Sequence, residues 1–595
     1  MCTPAGAIYV GRVGRRHMAR FSAAETREPP SHSAPAAPVG HPATGRGGAR
    51  WRVAAPIALG LLLGVATWLV YCEAVGFHFS PDSMSYAAVA RAFDTGRWFT
   101  TGILWVGDHA GRFQANWPPL YPAVVAVVHA FGWSLAASEW LVSGLAFSAA
   151  VVCGLLAIRT ATGRLPWMAI PVIAAFPLGL YVAGFGWSEP LCLALLGLHY
   201  WLVGLAASAR GTRARWLWFS EGLAAGLAFL DRYAAIAFLP VAVLFPFALA
   251  WTARRRAPLA ATNPAPADRW SALAGVALPV VPWTAAALLL TGHLGTPYLP
   301  DGAGLAGALR MGLRALDQSI GMVLLPGGGP SSAVRHAAPA FVAASLVCWA
   351  AAVVLPRVLP RLRGAEPASP SQASWMIGAL TMDVVGSVTL LVILRARYYF
   401  DVLDPRLMAP TIYVAALAGI ALVSRIRRRA TRGLVLLPLA AILLWHGVHW
   451  ARVAKTQPRL GASLAGPACT PGASGDCALL SWLAGNTGSQ DLIVGNNPFL
   501  INFTLGRTTR EVDPYPFNPD LSQAELSQWT RGWLSTHPRG RVWVALDRVA
   551  GPLDSSGPLL AQFWDRTTVP LRDGLQAALV TTGQAYRVWA ITLQT

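Results

Sequence analysis

The sequence predicts an α-helical polytopic membrane protein of about eleven transmembrane helices, followed by a small C-terminal α/β domain outside the membrane. Three observations carry that reading. Hydrophobic residues reach 54% while charged residues fall to 12%, against a usual charged share of roughly 25%. Apolar stretches near the ~20 residues that a helix needs to cross a bilayer recur from Val53 to Trp450. Residues 454–595 then change character, with balanced charge and no stretch of that length.

The formal charge of +20 is an arginine charge, since Lys455 is the single lysine among 47 basic residues. A basic excess of this size is one mark of a nucleic-acid binder. Here the arginines stand in short clusters between apolar segments, the pattern that orients membrane spans, so nucleic acid is not an expected partner. Seven cysteines without a CxxC are too scattered for a disulfide framework, and only Cys469 and Cys477 lie close enough in sequence to form a candidate pair.

Residues 1–50 are rich in Ala, Pro, Gly and Arg, carry no periodic apolar face, and read as a disordered basic tail in the cytosol. No signal-peptide core follows Arg12, Arg15, Arg16 and Arg20 before Trp51. The membrane region is placed at 51–453. Its first span, near 53–75, runs outward under the positive-inside rule, which makes 77–136 the first external loop. That assignment requires Pro119–Phe131 not to cross. At 1.5 Å per residue it covers about 20 Å, short of the ~30 Å hydrocarbon core, and it reads as an interfacial helix.

Spans follow near 137–158, 166–184, 188–208, 216–231, 234–252, 270–292, 337–356, 374–394, 407–424 and 433–450. The loops expected inside carry Arg159 and Arg164; Arg210, Arg213 and Arg215; Arg254, Arg255 and Arg256; Arg357, Arg361 and Arg363; and Arg425, Arg427, Arg428 and Arg429. Every second loop is basic, so the N-terminus is expected in the cytosol and the C-terminal domain outside.

The external connections hold the unusual residues. The first contains Ser80-Pro81-Asp82-Ser83 and Asn116-Trp117-Pro118-Pro119-Leu120-Tyr121-Pro122. A lone carboxylate where a span leaves the bilayer suggests function, while a helix cap by Asp82 is the plainer reading. Later connections carry Trp187-Ser188-Glu189-Pro190, Asp231-Arg232-Tyr233, a long segment from His293 to His336 with Gly327-Gly328-Gly329, and Arg395 to Arg406. Glu189 and Asp231 fit helix capping or pairing with Arg232 as well as chemistry. Arg395 and Tyr399 fit interfacial anchoring.

In residues 454–595 the runs 492–494, 542–546 and 588–593 read as strands, with helices at 521–534 and 558–564. No nucleotide-binding glycine loop, metal-ligand spacing or nucleophile elbow occurs there.

Taken together, Pro-Asp-Ser-x-x-Tyr at 81–86, Trp-Pro-Pro-Leu-Tyr-Pro at 117–122, Ser-Glu-Pro-Leu at 188–191, Asp-Arg-Tyr at 231–233 and Asp-Pro-Arg-Leu-Met-Ala-Pro at 404–410 resemble the GT-C superfamily of integral-membrane glycosyltransferases. The nearest branch is similar to bacterial relatives of protein O-mannosyltransferases and the lipid A aminoarabinose transferase. The resemblance spans roughly Val53 to Arg425. It implies a polyprenyl-phosphate-linked sugar donor, transfer outside the cytoplasmic membrane, and an essential acidic residue in the first external loop, matched by Asp82. Many relatives have two adjacent acidic residues there; here Ser83 follows Asp82.

The chemistry implied suits these residues. An acceptor hydroxyl needs a base as it attacks C1 of the sugar, and Asp82 is the candidate. The departing lipid phosphate gathers negative charge that a guanidinium stabilises, with Arg406 the first choice and Arg397, Tyr398 and Arg232 as helpers. Glu189, Asp231, Tyr233, Trp117 and Tyr121 are candidates for lining the sugar or lipid site. The expected course is single displacement with inversion. It requires no cofactor, and participation of a divalent ion stays open. The expected partners are the lipid-linked donor, membrane lipids, and an external glycan, lipid or protein acceptor.

The competing class is a transporter or flippase of lipid-linked sugars. Transporters carry broken or polar elements near the bilayer midplane, often within internal repeats. In this sequence the ionisable residues fall mostly at span ends and no half-to-half repeat stands out, which favours transfer chemistry. The threading is open to a direct check in a cysteine-free background. An impermeant maleimide applied to intact spheroplasts is expected to label Ser535→Cys, and to label Thr212→Cys only after lysis; the reverse pattern would turn the basic loops outward.

Overall fold

The computed structural model describes residues 46–104, 113, 115–167, 169–256, 266–292, 294, 304–324, 372–397, 405–424, 429–456, 475–511, 522–547, 558–583 and 586–593. The membrane part is built from α1 (Arg46–Val75), α2 (Pro81–Asp94), β1 (Ile103–Leu104), α3 (Leu120–His129), α4 (Leu135–Thr162), α5 (Ala169–Ala174), α6 (Pro177–Ala183), α7 (Glu189–Ala206) and α8 (Gly211–Asp231). A 3-10 turn, Tyr233–Phe238, leads into α9 (Leu239–Arg256), α10 (Pro266–Thr291), α11 (Gly304–Leu324), α12 (Gln372–Arg397), α13 (Pro405–Val423) and α14 (Arg429–Thr456).

Among the described residues, seven of the eleven expected spans are helices long and apolar enough to cross a bilayer: Ala54–Val75, Leu135–Thr162, Glu189–Ala206, Tyr233–Ala250, Arg269–Thr291, Met376–Ala396 and Pro405–Val423. The stretch near 166–184 departs from expectation. Pro177 starts a new helix, and a proline disfavours helical backbone in the residue before it, so the segment divides into α5 and α6. The stretch near 216–231 lies in α8, which carries Arg213, Arg215, Glu221 and Asp231. The stretch at 433–450 lies within α14, and 337–356 lies outside the described residues. Helix α3 has 10 residues, about 15 Å of rise, too short to cross.

Close helix contact rests on small residues, as expected where lipid supplies no hydrophobic drive for association. A Cβ at Gly222 of α8 would come 2.0 Å from the Ala272 carbonyl of α10, and one at Gly226 would come 2.8 Å from the Pro279 ring. This pair, four residues apart, lets two helices approach backbone to backbone.

The bundle also carries a polar layer that the sequence reading did not locate. His199 Nδ1 lies 3.0 Å from Glu221 Oε1, and the Tyr200 hydroxyl donates to Asp383 Oδ2. His199, Glu221 and Asp383 are fully buried. The layer joins α7, α8 and α12 about 15 Å along α7 from Glu189, so ionisable groups are not confined to span ends.

Beyond the bundle come α15 (Gly475–Asn486), β2 (Leu492–Gly495), α16 (Pro498–Leu505), β3 (Thr508–Glu511), α17 (Gln523–Thr536), β4 (Val542–Asp547), α18 (Pro558–Asp565), β5 (Thr568–Pro570), β6 (Leu575–Thr582) and β7 (Tyr586–Leu593). The three expected strands and both expected helices are present, and the first of those helices, α17, starts with a capping box between Ser522 and Glu525. The candidate pair Cys469–Cys477 cannot be followed, because Cys469 lies outside the described residues. The sheet runs β1-β3-β2-β4-β7-β6-β5, parallel from β1 to β4 and antiparallel thereafter.

Its central strands are buried on both faces. Leu492, Val494, Val544 and Trp589 fill one core, and Ile493, Trp543, Ala545 and Val588 the other. The edge strand β1 comes from the first long loop, pairing Ile103 with Thr509 and Leu104 with Arg510. The loop that holds Asp82 and the C-terminal sheet are therefore hydrogen-bonded to each other.

Tyr200→Phe removes the bond to Asp383 and is expected to destabilise the bundle by about 1 kcal/mol. Thermal unfolding in detergent reads this as a lower midpoint, and an unchanged midpoint would show that the bond does not help hold α7 to α12.

Candidate active site

Three helix starts build the site, each marked by a proline in its first turn. Pro81 opens α2, Pro190 lies in the first turn of α7, and Pro405 opens α13. Proline suits these positions because the missing N–H has no intrahelical partner there. At each start one charged residue stands in the first turn: Asp82, Glu189 and Arg406.

The capping question raised by Asp82 is answered by its neighbours. Ser80 is the N-cap. Its Oγ accepts from the Ser83 amide at 3.3 Å, and Ser83 Oγ accepts from the Ser80 amide at 2.6 Å. Ser83, which stands where a second acidic residue was expected, completes the capping box and leaves the Asp82 carboxylate free of it.

That carboxylate accepts from Arg406 Nη1, while Arg406 Nε donates to Glu189 Oε1. The same Glu189 oxygen accepts from Arg232 Nη1. The order Asp82–Arg406–Glu189–Arg232 alternates in charge. The Asp82 side chain retains 19% exposure and Arg406 14%, whereas Glu189 has none. Asp82 is the most exposed member of the chain, and Glu189 is an internal tie between two guanidinium groups. An arginine in the first turn of a helix opposes the helix dipole. Its position in α13 depends on the two carboxylates.

Aromatic rings fix the guanidinium from the side. Arg406 Cζ lies 4.4 Å from the Trp187 ring centroid, and Trp187 is stacked on Phe185 at 4.5 Å. The Trp187 indole donates to Ser80 Oγ, linking the cap of α2 to the start of α7. A left-handed turn at Gly186, φ +62°, brings Trp187 to that position.

Neither family models nor curated proteins match this sequence. Among solved structures, ArnT from Cupriavidus metallidurans bound to undecaprenyl phosphate superposes with a TM-score of 0.52 at 13% identity, covering 90% of this chain and 97% of that one. The apo state of the same ArnT gives 0.50 at 14%, covering 91% and 98%. The chain has the ArnT fold.

On the ArnT fold, the expected site residues of this chain divide into groups. Asp82, Glu189, Arg232 and Arg406 meet, although 324 positions separate the first from the last. Asp231, fully buried, ends α8 beside Arg232. Tyr233 accepts from the Trp283 indole at 2.9 Å and donates to the Ala115 carbonyl at 2.8 Å, holding the strap that leads to Trp117. Tyr121 is fully buried, its hydroxyl 3.2 Å from Ser143 Oγ. Its ring touches Tyr86, which in turn touches Trp117, with centroids at 5.1 and 5.4 Å. Arg397 ends α12, and Tyr398 lies outside the described residues.

Among the described residues no group of three or more His, Cys, Asp or Glu side chains is arranged to hold a metal ion. In this site a guanidinium occupies the position between the two carboxylates.

Three residues of the site were not singled out from sequence. Tyr86 follows Asp82 by four positions, one helical turn, and so lies on the same face. Burial pushes its hydroxyl well above the usual tyrosine range, the Asp82 charge adds to this, and Arg406 opposes it. Tyr86 is therefore a neutral donor at neutral pH. Trp187 was visible only as part of the Trp-Ser-Glu-Pro segment. Glu139 of α4 is fully buried without a hydrogen-bond partner among the described residues. A Cβ at Gly186 would come 3.0 Å from its Oε2, so it backs the turn that carries Trp187.

Arg406→Ala leaves two carboxylates facing each other and is expected to destabilise by about 3 kcal/mol. Adding Asp82→Ala should recover about 1–2 kcal/mol of this. Denaturant unfolding in detergent of the two single variants and the double variant measures the coupling, and additive losses would show that the pair does not interact.

Proposed function

We propose that this protein is a membrane glycosyltransferase that moves a sugar from a polyprenyl-phosphate-linked donor to an acceptor outside the cytoplasmic membrane. The observation that carries this reading is the charge chain Asp82–Arg406–Glu189–Arg232 at the meeting point of three helix starts. It lies in a fold shared with a protein crystallised with undecaprenyl phosphate. Helix N-termini favour anions, and a guanidinium with N–H groups left over from its two carboxylate bonds can engage phosphate oxygens.

Asp82 is the proposed base. As the acceptor oxygen bonds to the anomeric carbon, its proton passes to Asp82 and the bond from that carbon to the phosphate oxygen breaks. The polyprenyl phosphate leaves with the electron pair, stabilised by Arg406, and Asp82 later releases the proton to water. Arg232 neutralises Glu189 and leaves Arg406 free to shift its hold from Asp82 toward the phosphate. A double displacement would need a carboxylate nucleophile beside a separate acid–base group. In this chain one carboxylate of the pair is accessible and the other is fully buried, so single displacement with inversion fits better. Trp117 is the proposed wall for sugar or lipid, backed by the buried Tyr121. The C-terminal sheet belongs to the same outer compartment in this reading.

A second reading draws on the layer of His199, Glu221, Tyr200 and Asp383, since transporters carry polar groups at that depth. Purified protein in liposomes with radiolabelled polyprenyl-phosphate sugars separates the two. Label passing to an acceptor is the expected result, whereas intact donor crossing between leaflets would establish a flippase. Asp82→Asn is expected to lower transfer by about 100-fold or more with donor binding retained. Undiminished transfer would remove Asp82 as the base.

A further inference from the structure

Helix α2 carries Asp82 near its start, and residues of α16 touch α2 and the residues leading into it at three places. Before the cap, the Phe79 ring meets Phe503 with centroids 5.0 Å apart. In the middle, Phe499 shares a small apolar core with Met84, Ala88 and Ile103. Near the end, Arg91 Nη1 donates to the Asn502 carbonyl at 2.6 Å and Nη2 to the Phe503 carbonyl at 2.5 Å.

The last carbonyls of a helix carry the negative end of its dipole, so a guanidinium is well matched to them; the Asn502 carbonyl also accepts from the Gly506 amide at 2.8 Å. The chain makes room for it. Gly506 closes α16 at φ +65°, where a Cβ would come 3.2 Å from Arg91 Nη1. The Thr509 amide donates to the Gly102 carbonyl at 2.9 Å and β1 pairs with β3, so the first long loop and the C-terminal region are joined a second time.

We propose that α16 is a splint for the catalytic helix: Arg91, acting with Phe503, sets the position of α2 and thereby the placement of Asp82 against Arg406. Arg91 is then a positioning residue about 14 Å along α2 from Asp82, outside the reach of donor or acceptor at the reacting carbon. The C-terminal region then acts on the site, since a shift of α16 moves the base. This inference rests on Asp82 being the base, and its test separates the two claims.

The test uses the full-length protein with Arg91→Ala, Arg91→Lys, Asp82→Asn and the double variant Asp82→Asn/Arg91→Ala, assayed for transfer from a radiolabelled polyprenyl-phosphate sugar. Arg91→Ala should lower kcat about tenfold with donor KM within about twofold, and Arg91→Lys should restore most of it. In the Asp82→Asn background the same change should cost less than about twofold, because the group it positions is gone. Hydrogen exchange gives a readout independent of chemistry: backbone amides of α2 should exchange faster in Arg91→Ala while those of α7 and α13 do not.

An equal kcat loss in both backgrounds, or α2 exchange unchanged by Arg91→Ala, would overturn the splint. Full activity in Asp82→Asn with faster α2 exchange in Arg91→Ala would instead overturn the base assignment and keep the splint. If Arg91→Ala does not fold, Phe503→Leu, which removes the ring contact to Phe79 and loosens the cluster that Phe503 shares with Tyr86 and Ala90 of α2, is read by the same exchange criterion.

Discussion

A guanidinium between two carboxylates holds the centre of this molecule together. Arg406 is bonded to Asp82 on one side and to Glu189 on the other, and Glu189 passes the connection on to Arg232. Each partner is expensive to bury alone. In alternation they offset one another, and the sequence order of the helices ceases to matter: α2, α7, α13 and the end of α8 are brought to one point. Arginine is suited to this role because its donors are fixed in a plane and can serve two carboxylates at once. A lysine would offer one point charge.

The same constraint explains the prolines and serines around the site. A helix start leaves amide groups in need of acceptors, and Ser80 with Ser83 satisfies those of α2 without using Asp82. Trp187 covers the open face of Arg406 and bonds to Ser80, so the ring, the cap and the guanidinium restrain one another. Buried Tyr86 and Glu139 lie close behind. Such a site is preorganised by packing in its supporting shell, with one carboxylate left accessible at its edge.

The bundle and the sheet meet at this shell. The first long loop contributes α2 to the site and β1 to the sheet, and α16 returns the contact along α2. The polar layer of His199, Glu221, Tyr200 and Asp383 ties α7, α8 and α12 at a deeper level. Glu189 and His199 are ten positions apart on one helix, so the two layers share α7 as a common element.

Much of this was legible along the chain because its signals are local. Apolar length marks spans, and Ser-Pro-Asp, Ser-Glu-Pro and Asp-Pro-Arg mark helix starts that carry a charge. These local rules also brought Asp82, Glu189, Arg232 and Arg406 forward as candidates. They misread the stretch near 166–184, where Pro177 divides the helix, and overlooked Ile103–Leu104, a strand of two residues with no pattern of its own.

What the tertiary structure decided is pairing. Whether Asp82 caps its helix or faces a guanidinium depends on Ser83 and on a residue 324 positions away. Tyr233 proved to hold a backbone strap, and Arg91 to grip the end of a helix from the C-terminal sheet. Charge and apolar period are properties of short segments and can be read in one dimension. The partner of a buried charge is chosen by three-dimensional proximity and desolvation, which no single segment encodes.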